Sequence, residues 1–533
     1  MNSGESMKKL EEMTLREKVG QLLMVGFQAD DVEGIKELID KYHVGNIILF
    51  TRNITDLKTV FEINQTLQRY AMEKNGYPLF ISIDQEGGMV TRIRREATFF
   101  PGNMTVAATG NTDYAYQIGK MMGQELFHLG INMNLAPVLD VNNNPHNPVI
   151  GVRSYSDSPE VVAKFGTAYV RGLQEAGVIA TGKHFPGHGD TSVDSHLDLT
   201  SVPHDKKRLQ EVELYPFKQA IKSGIDAIMS AHVLFPAYEP ERLPGTLSQN
   251  VLTHLLRDEL GFKGLIVTDC LEMKAISDDY TTEKGALMAV RAGANLLCIS
   301  HTRERQIGAF EEIINAVETN TLDEAIINDR VQRILRKKEE MVEKTLTFLE
   351  ENFKEASQYF LVPAHQAFAQ KVADQALTLV GSKTFTPSDK KTVFVSPSPQ
   401  ATTIADEKML EGNSIDAVKA NFPEWETIAL SLNPSDEEIK EVLHTAKDAE
   451  QLIVGSYNAN IYHQQEKLLE ELKSLSIDLH LIALRNPYDV LNKEVNGVCT
   501  YEYTPLTIQT VIKYLKGEIQ PKGSLPITHK ERS

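Results

Sequence analysis

Cysteine is scarce in this chain. Cys270, Cys298 and Cys499 are three thiols, an odd number, at distant positions. That excludes a disulfide framework and fits a reducing compartment. Positive charge is also short: 55 Lys and Arg stand against 73 Asp and Glu, for a formal net charge of −18. A nucleic-acid binder needs a basic face to displace counterions, so no nucleic-acid partner is expected. Long apolar runs are missing too. No stretch approaches the roughly 18–20 apolar residues of a membrane span, so no membrane partner is expected. The opening "MNSGESMKKLEEMTLREKVGQ" has no apolar segment that could act as a signal core. A cytoplasmic protein is the expectation.

What is present is a repeating pattern. Short apolar runs end in polar or Gly residues and are followed by amphipathic stretches. The runs are "GQLLMVGF" at 20, "VGNIILF" at 44, "PLFISIDQ" at 78 and "NMNLAPVLD" at 132. They continue with "GVIATGKHF" at 177, "AIMSAHVLF" at 227, "KGLIVTDC" at 263 and "GANLLCIS" at 293. Continuous apolar runs without alternation are what strands buried on both faces look like. Between them, "NTDYAYQIGKMMGQELFHLG" and "SPEVVAKFGTAYVRGLQEAG" read as helices, the latter with Ser158 as N-cap. Eight strand–helix units over about 300 residues predict a (β/α)8 TIM-type barrel. A doubly wound sheet is the competitor, usually with fewer strands.

Residues 323–362 are rich in charge and helix formers and contain no Gly or Pro, so they read as helical connector. From about 364 a second α/β pattern begins, with runs "ALTLVG", "KTVFVSP", "WETIALSL", "QLIVGSY", "LHLIALRNP" and "GVCTYEY". The expected division is a barrel at 1–340, a helical linker at 341–363, and an α/β/α sandwich domain at 364–533 of the 533 residues.

In a barrel, the C-terminal strand ends build the active site. They supply Asp84, Asp140, the Lys183–His184 pair, His232 and Asp269. One polar residue at a strand end is commonly a cap, but several on one rim are harder to dismiss. The stretch "KHFPGHGDTSVDSH" at 183–196 concentrates three of the chain's 15 histidines. His184 and His188 have the i,i+4 spacing of metal ligands on a helix, but Pro186, Gly187 and Gly189 forbid that helix. No metal and no cofactor is expected. Asp194 two residues before His196 suits a carboxylate that orients an imidazole for proton transfer, with a local loop bond as the plainer alternative. Asp269, closing an apolar strand, offers the matching nucleophile. A carboxylate nucleophile with a proton-transfer group describes retaining glycoside hydrolysis, here with His in place of the second carboxyl.

The segments "SIDQEGGMVTRIR", "GVRSYS", "GKHFPGHGDTSVDSH", "MSAHVLFP", "GTLS" and "VTDCLEMKAI" resemble glycoside hydrolase family 3, in its β-N-acetylglucosaminidase branch. The resemblance runs from about residue 13 to 340. The ending "TYEYTPLTIQTVIKYLKGEIQPKGSLPIT" is similar to the close of that family's C-terminal domain. The resemblance implies that Asp269 is the nucleophile, His196 the acid/base and Asp194 its dyad partner. It also implies that Asp84, Arg92, Arg153, Lys183 and His184 bind a terminal N-acetylglucosamine. His188 is assigned to shaping the turn, and Asp140 and His232 to the pocket wall. Where two-domain members use a Glu acid/base, it comes from the second domain; the "DSH" loop makes that role unnecessary here.

The expected activity is an exo-acting retaining β-N-acetylglucosaminidase releasing non-reducing terminal GlcNAc from peptidoglycan-derived muropeptides or related glycosides. A phosphorylase or a β-glucosidase-like enzyme of the same family is the alternative. A histidine acid/base adds no negative charge to repel phosphate.

Overall fold

The computed structural model describes residues 7–29, 31–194, 196–398, 413–491 and 494–528. Eight parallel strands form the first sheet. They are β1 (Leu23–Val25), β2 (Asn46–Leu49), β3 (Phe80–Ile83), β4 (Met133–Asn134), β5 (Ile179–Phe185), β6 (Ala227–Ser230), β7 (Leu265–Thr268) and β8 (Leu297–Ile299). Their spatial order is β8-β1-β2-β3-β4-β5-β6-β7. A parallel bridge from Val267 to Leu296 and the Thr268 N–H to Leu296 C=O bond of 2.9 Å join the last seam. The sheet therefore closes into the expected barrel. Every residue of these eight strands is buried, which is why the runs show no polar alternation.

Two strands end earlier than the sequence suggests. β4 covers only Met133–Asn134 of "NMNLAPVLD", because Pro137 has no N–H to give the ladder. β6 stops at Ser230, so His232 lies beyond it rather than on it. Conversely, Lys183 and His184 lie inside β5, where the pairing with β6 shifts register between Lys183 and Phe185. The helices match their signals closely. Asn111 and Ser158 cap Thr112–His128 and Pro159–Glu175, their side chains accepting the N–H of Asp113 and Val161.

A 27-residue helix, Glu324–Glu350, runs from the barrel into the connector. The second sheet contains β9 (Thr378–Val380), β10 (Thr392–Pro397), β11 (Glu426–Leu430), β12 (Gln451–Ser456), β13 (Asp478–Ala483) and β14 (Asn496–Cys499). Its order is β9-β14-β13-β12-β10-β11, and only β9 runs antiparallel to its neighbour. Among the described residues, no helix is long and apolar enough to cross a membrane.

The two cores interlock. The helix Pro363–Ala376 gives Ala369, Val372 and Ala373 to the barrel cluster and Ala376 to the other. In return, Met89, Met104, Ala108 and Val152 of the barrel pack into the second domain's cluster. These four come from segments that also build the barrel's functional rim.

Candidate active site

The turn after β3 starts the site. In "DQEGG", Asp84 and Glu86 lie two residues apart, and Gly87 and Gly88 adopt positive φ values of 92° and 58°. A Cβ on Gly88 would come 2.7 Å from the Gly102 Cα, so only glycine permits this approach. Lys183 Nζ sits between the two acids, 2.8 Å from Asp84 Oδ1 and 2.8 Å from Glu86 Oε1. Arg153 meets Glu86 in a fork, with bonds of 2.7 and 3.0 Å. Arg92 lies 3.9 Å from Asp84.

Three cations thus share two carboxylates in one largely buried network. Burial works against the Glu86 charge, but Arg153 and Lys183 outweigh it and hold the carboxyl far below its usual range. Burial likewise opposes the Lys183 charge, and Asp84 and Glu86 win, raising its pKa. Glu86 was not anticipated from the sequence. Its signal was the two-residue spacing from Asp84 beyond a strand end.

The turn after β5 is built around Asp140, which has no exposed surface. Its Oδ1 accepts the backbone N–H groups of His184 and His188 at 3.1 and 2.7 Å, and its Oδ2 lies 2.7 Å from His184 Nδ1. One carboxylate therefore fixes both the backbone of the turn and the His184 ring. The glycines of "PGHG" follow from crowding: a Cβ on Gly189 would lie 1.6 Å from the Val141 carbonyl oxygen. His188 is buried, bonds to Thr191 Oγ1 at 2.9 Å, and is pushed down to about 4 by burial. It shapes the turn, as expected.

The expected pocket-wall roles of Asp140 and His232 need correction. Neither lines the pocket. His232 is 1% exposed and lies behind the wall, its Nε2 donating to the Cys270 carbonyl at 2.9 Å while Nδ1 lies 2.7 Å from Thr246 Oγ1. Asp140 is held inward by the backbone N–H groups of His184 and His188, and His232 by the Cys270 carbonyl and the Thr246 hydroxyl.

Asp269 follows β7 directly. Its Oδ1 accepts the Cys270 N–H at 2.7 Å. Burial would raise its pKa, but His232, His184 and His196 overcome that and bring it down to about 2. His196 stands on the loop after β5, its Nδ1 and backbone N–H 2.7 and 2.9 Å from Asp194 Oδ1. Burial alone would discharge the ring; the Asp194 hydrogen bond and the Asp269 charge reverse this and raise its pKa. Val193 and Leu197, on either side of the dyad, are 40% and 58% exposed.

Asp84, Arg92, Arg153, Lys183 and His184 line one pocket of about 410 Å3 together with Asp269 and His196. Asp194 supports it from outside the lining. Other lining residues were not foreseen: Phe50 beyond β2, Cys270 and Met273 beyond β7, and Cys298 and His301 at and beyond β8. Phe50 and His301 ring centroids lie 5.2 Å apart. Phe50 closes one apolar run and His301 directly follows another, so the strand-end signal existed for them. Among the described residues, one trio could approach a cation: Asp190, His204 and Glu213, with ligating atoms within 4.8 Å of one another. Arg208 lies 4.0 Å from Asp190 and 3.5 Å from Glu213, so positive charge is already supplied there.

The pocket rim is tied to the second domain. Glu502, 1% exposed, accepts the Gly102 N–H at 2.7 Å, the Thr504 hydroxyl at 2.7 Å and the Thr105 hydroxyl. The Tyr503 N–H lies 3.3 Å from Met89 Sδ. Both contacts bear on the Gly87–Gly88 turn that positions Glu86.

Chemically, the pocket pairs an ionised carboxylate with an imidazole disposed to hold a proton, beside a fixed array of donors and acceptors suited to sugar hydroxyls. Comparisons with known proteins agree on the kind of molecule. A "Beta-hexosaminidase A" of Pseudoalteromonas piscicida is 38% identical over 368 residues, 65% of this chain and 61% of that protein. The chain thus spans under two thirds of that relative's length. A "Beta-hexosaminidase" of Photobacterium profundum is 34% identical over 55% of this chain and 85% of its own. A solved β-N-acetylglucosaminidase of glycoside hydrolase family 3 from a Paenibacillus species superposes with a TM-score of 0.87. It is 40% identical, with 97% of this chain and 99% of that one covered. The profile of the Glycosyl hydrolase family 3 N terminal domain matches residues 14–337, more than half of the sequence, and the chain belongs to that family.

Proposed function

We propose that the protein is an exo-acting, retaining β-N-acetylglucosaminidase that releases non-reducing terminal GlcNAc from peptidoglycan-derived muropeptides or related glycosides. The observation that carries this reading is the meeting of Asp269 and the Asp194-supported His196 in one pocket. Asp269 attacks the anomeric carbon while His196 protonates the departing glycosidic oxygen; a covalent glycosyl–Asp269 ester results. The now neutral imidazole then takes a proton from water, which displaces Asp269 and restores the β configuration. Asp84 and Glu86 accept bonds from sugar hydroxyls, and Arg92, Arg153, Lys183 and His184 donate to hydroxyl and acetamido oxygens.

The β-N-acetylglucosaminidase activity of the Paenibacillus relative supports GlcNAc as the sugar, and the two bacterial β-hexosaminidases support a β-hexosaminide more broadly. The scarcity of cysteine supports a cytoplasmic setting. The division into barrel, linker and second domain at residues 340 and 363 belongs to the same proposal. Hydrolysis of aryl β-GlcNAc against aryl β-glucoside, with product stereochemistry followed by NMR, tests it. Preference for GlcNAc with retention is expected; equal efficiency on the glucoside, or inversion, rejects it. The neutral imidazole favours one second reading, transfer of the sugar to phosphate. Formation of a sugar phosphate only when phosphate is supplied identifies that enzyme instead.

A further inference from the structure

Two of the three thiols meet at the back of the pocket. Cys270 follows Asp269 and is partly exposed; Cys298 lies within β8 and is 2% exposed. Both line the pocket. Their backbones are stitched together across the last seam of the barrel. The Leu271 N–H donates to the Cys298 carbonyl at 2.9 Å, and the Cys298 N–H donates to Thr268 Oγ1 at 3.0 Å. Adjacent strands run about 4.8 Å apart, and a disulfide spans Cα separations of about 4.4–6.8 Å. The two thiols also interact directly with each other, and Cys298 Sγ lies 3.3 Å from Ser300 Oγ.

We propose that Cys270 and Cys298 are a peroxide-sensitive thiol pair whose disulfide switches the site off. The mechanism sketched above uses neither thiol. The pair is unequal in the way that exchange chemistry favours. The Cys298 thiol hydrogen bond lowers the pKa of Cys270, whereas the same contact and burial raise that of Cys298. Cys270 is also the more exposed of the two, so it is the sulfur that peroxide reaches first, and Cys298 is the resolving one. The Cys270 thiolate attacks a peroxide oxygen, breaking the O–O bond and forming a sulfenic acid; with hydrogen peroxide the leaving hydroxide takes up a proton as water. The Cys298 sulfur then attacks the sulfenic sulfur, its proton leaving with the hydroxyl as a second water. The two thiols lose two electrons, and the peroxide gains them.

The consequence for catalysis follows from the Cys270 backbone. Its N–H holds Asp269 Oδ1, and its carbonyl holds His232. Drawing Cys270 toward β8 shifts the nucleophile's donor, and a displacement of about 1 Å can cost on the order of 10²-fold in rate.

This switch rests on the proposed function for its effect, but the disulfide itself is read independently. Reduced full-length protein is treated with hydrogen peroxide, alkylated, and mapped by mass spectrometry. Activity is read on whichever aryl glycoside the reduced protein hydrolyses, before and after dithiothreitol. A peptide pair joining Cys270 to Cys298, lighter by two hydrogens, is expected, with kcat reduced at least about tenfold and recovered by the thiol. Cys298→Ala should give no crosslink, with Cys270 stopping at the sulfenic acid, which dimedone labels. Cys499→Ala, in the buried β14 of the second domain, should respond as wild type with unchanged basal activity. The inference is overturned if both thiols stay free while activity falls, or if the crosslink forms and kcat holds. It is equally overturned if peroxide-treated Cys298→Ala carries no dimedone label on Cys270. Failure to hydrolyse either glycoside would reject the proposed function and leave the peptide map to decide the disulfide.

Discussion

Asp194 holds His196 through a single carboxylate oxygen, Oδ1, which accepts both the ring Nδ1–H at 2.7 Å and the backbone N–H at 2.9 Å. The ring is thereby fixed as the Nδ1–H form with Nε2 presented outward, the arrangement a proton shuttle requires. His196→Ala should slow glycosylation by about 10²–10⁴-fold for poor leaving groups, and far less for nitrophenyl glycosides, whose phenolate departs unaided. Aryl glycosides of graded leaving-group acidity measure this contrast. A uniform loss across the series would remove His196 from the acid role.

The pH profile should carry the same dyad. A group that must be protonated works below its pKa and fails above it, so kcat/KM should fall as pH rises through the raised pKa of His196. Asp194→Asn removes an interaction that raises that pKa, and the alkaline limb should move to lower pH. The nucleophile, at about 2, stays ionised across the working range and adds no acid limb of its own near neutrality. An unmoved alkaline limb in Asp194→Asn would separate the limb from His196.

Asp269→Ala should reduce turnover by several orders of magnitude while the circular dichroism spectrum and melting temperature stay close to wild type. The Asp269 carboxylate supplies the oxygen that bonds the anomeric carbon in the covalent intermediate. A folded variant retaining a tenth of the activity would refute the assignment.

Glu86→Gln should destabilise the chain by roughly 3–5 kcal/mol at neutral pH, since it leaves Arg153 and Lys183 short of an anion in a buried setting. The Glu86 pKa is depressed in the folded state, so its stabilisation is present above the unfolded carboxylate value and lost as pH falls toward the folded one. The difference between wild type and variant in urea unfolding should therefore shrink in acid. A pH-independent difference would mean that shape, rather than charge, is what Glu86 contributes.

Much of this was legible in one sequence. Unbroken apolar runs gave the eight barrel strands because both faces of a closed parallel sheet are covered. Ser158 marked a helix start because a side-chain oxygen there satisfies an otherwise unpaired N–H. Strand-end position, sharpened by the family resemblance, brought Asp84, Lys183, His184 and Asp269 to one rim. What stayed hidden depends on local hydrogen bonds. Whether Asp140 or His232 faces the pocket or its backing turns on the N–H groups of His184 and His188, the Cys270 carbonyl and the Thr246 hydroxyl. No periodicity encodes such bonds. Glu86 was hidden differently: its value lies in two cations from residues 153 and 183, contacts made only by the closed barrel.

The Glu502 contact ties the far end of the chain to the turn that carries Glu86. Its carboxyl pKa is raised by burial, so it sits there as a costly group whose hydrogen bonds lie largely on the barrel side. With the two cores interlocked as well, the barrel and the second sheet should behave as one cooperative unit rather than as modules joined by a tether. A ligand that fills the barrel pocket should delay the melting of a sheet it never touches, and both halves should unfold in a single transition.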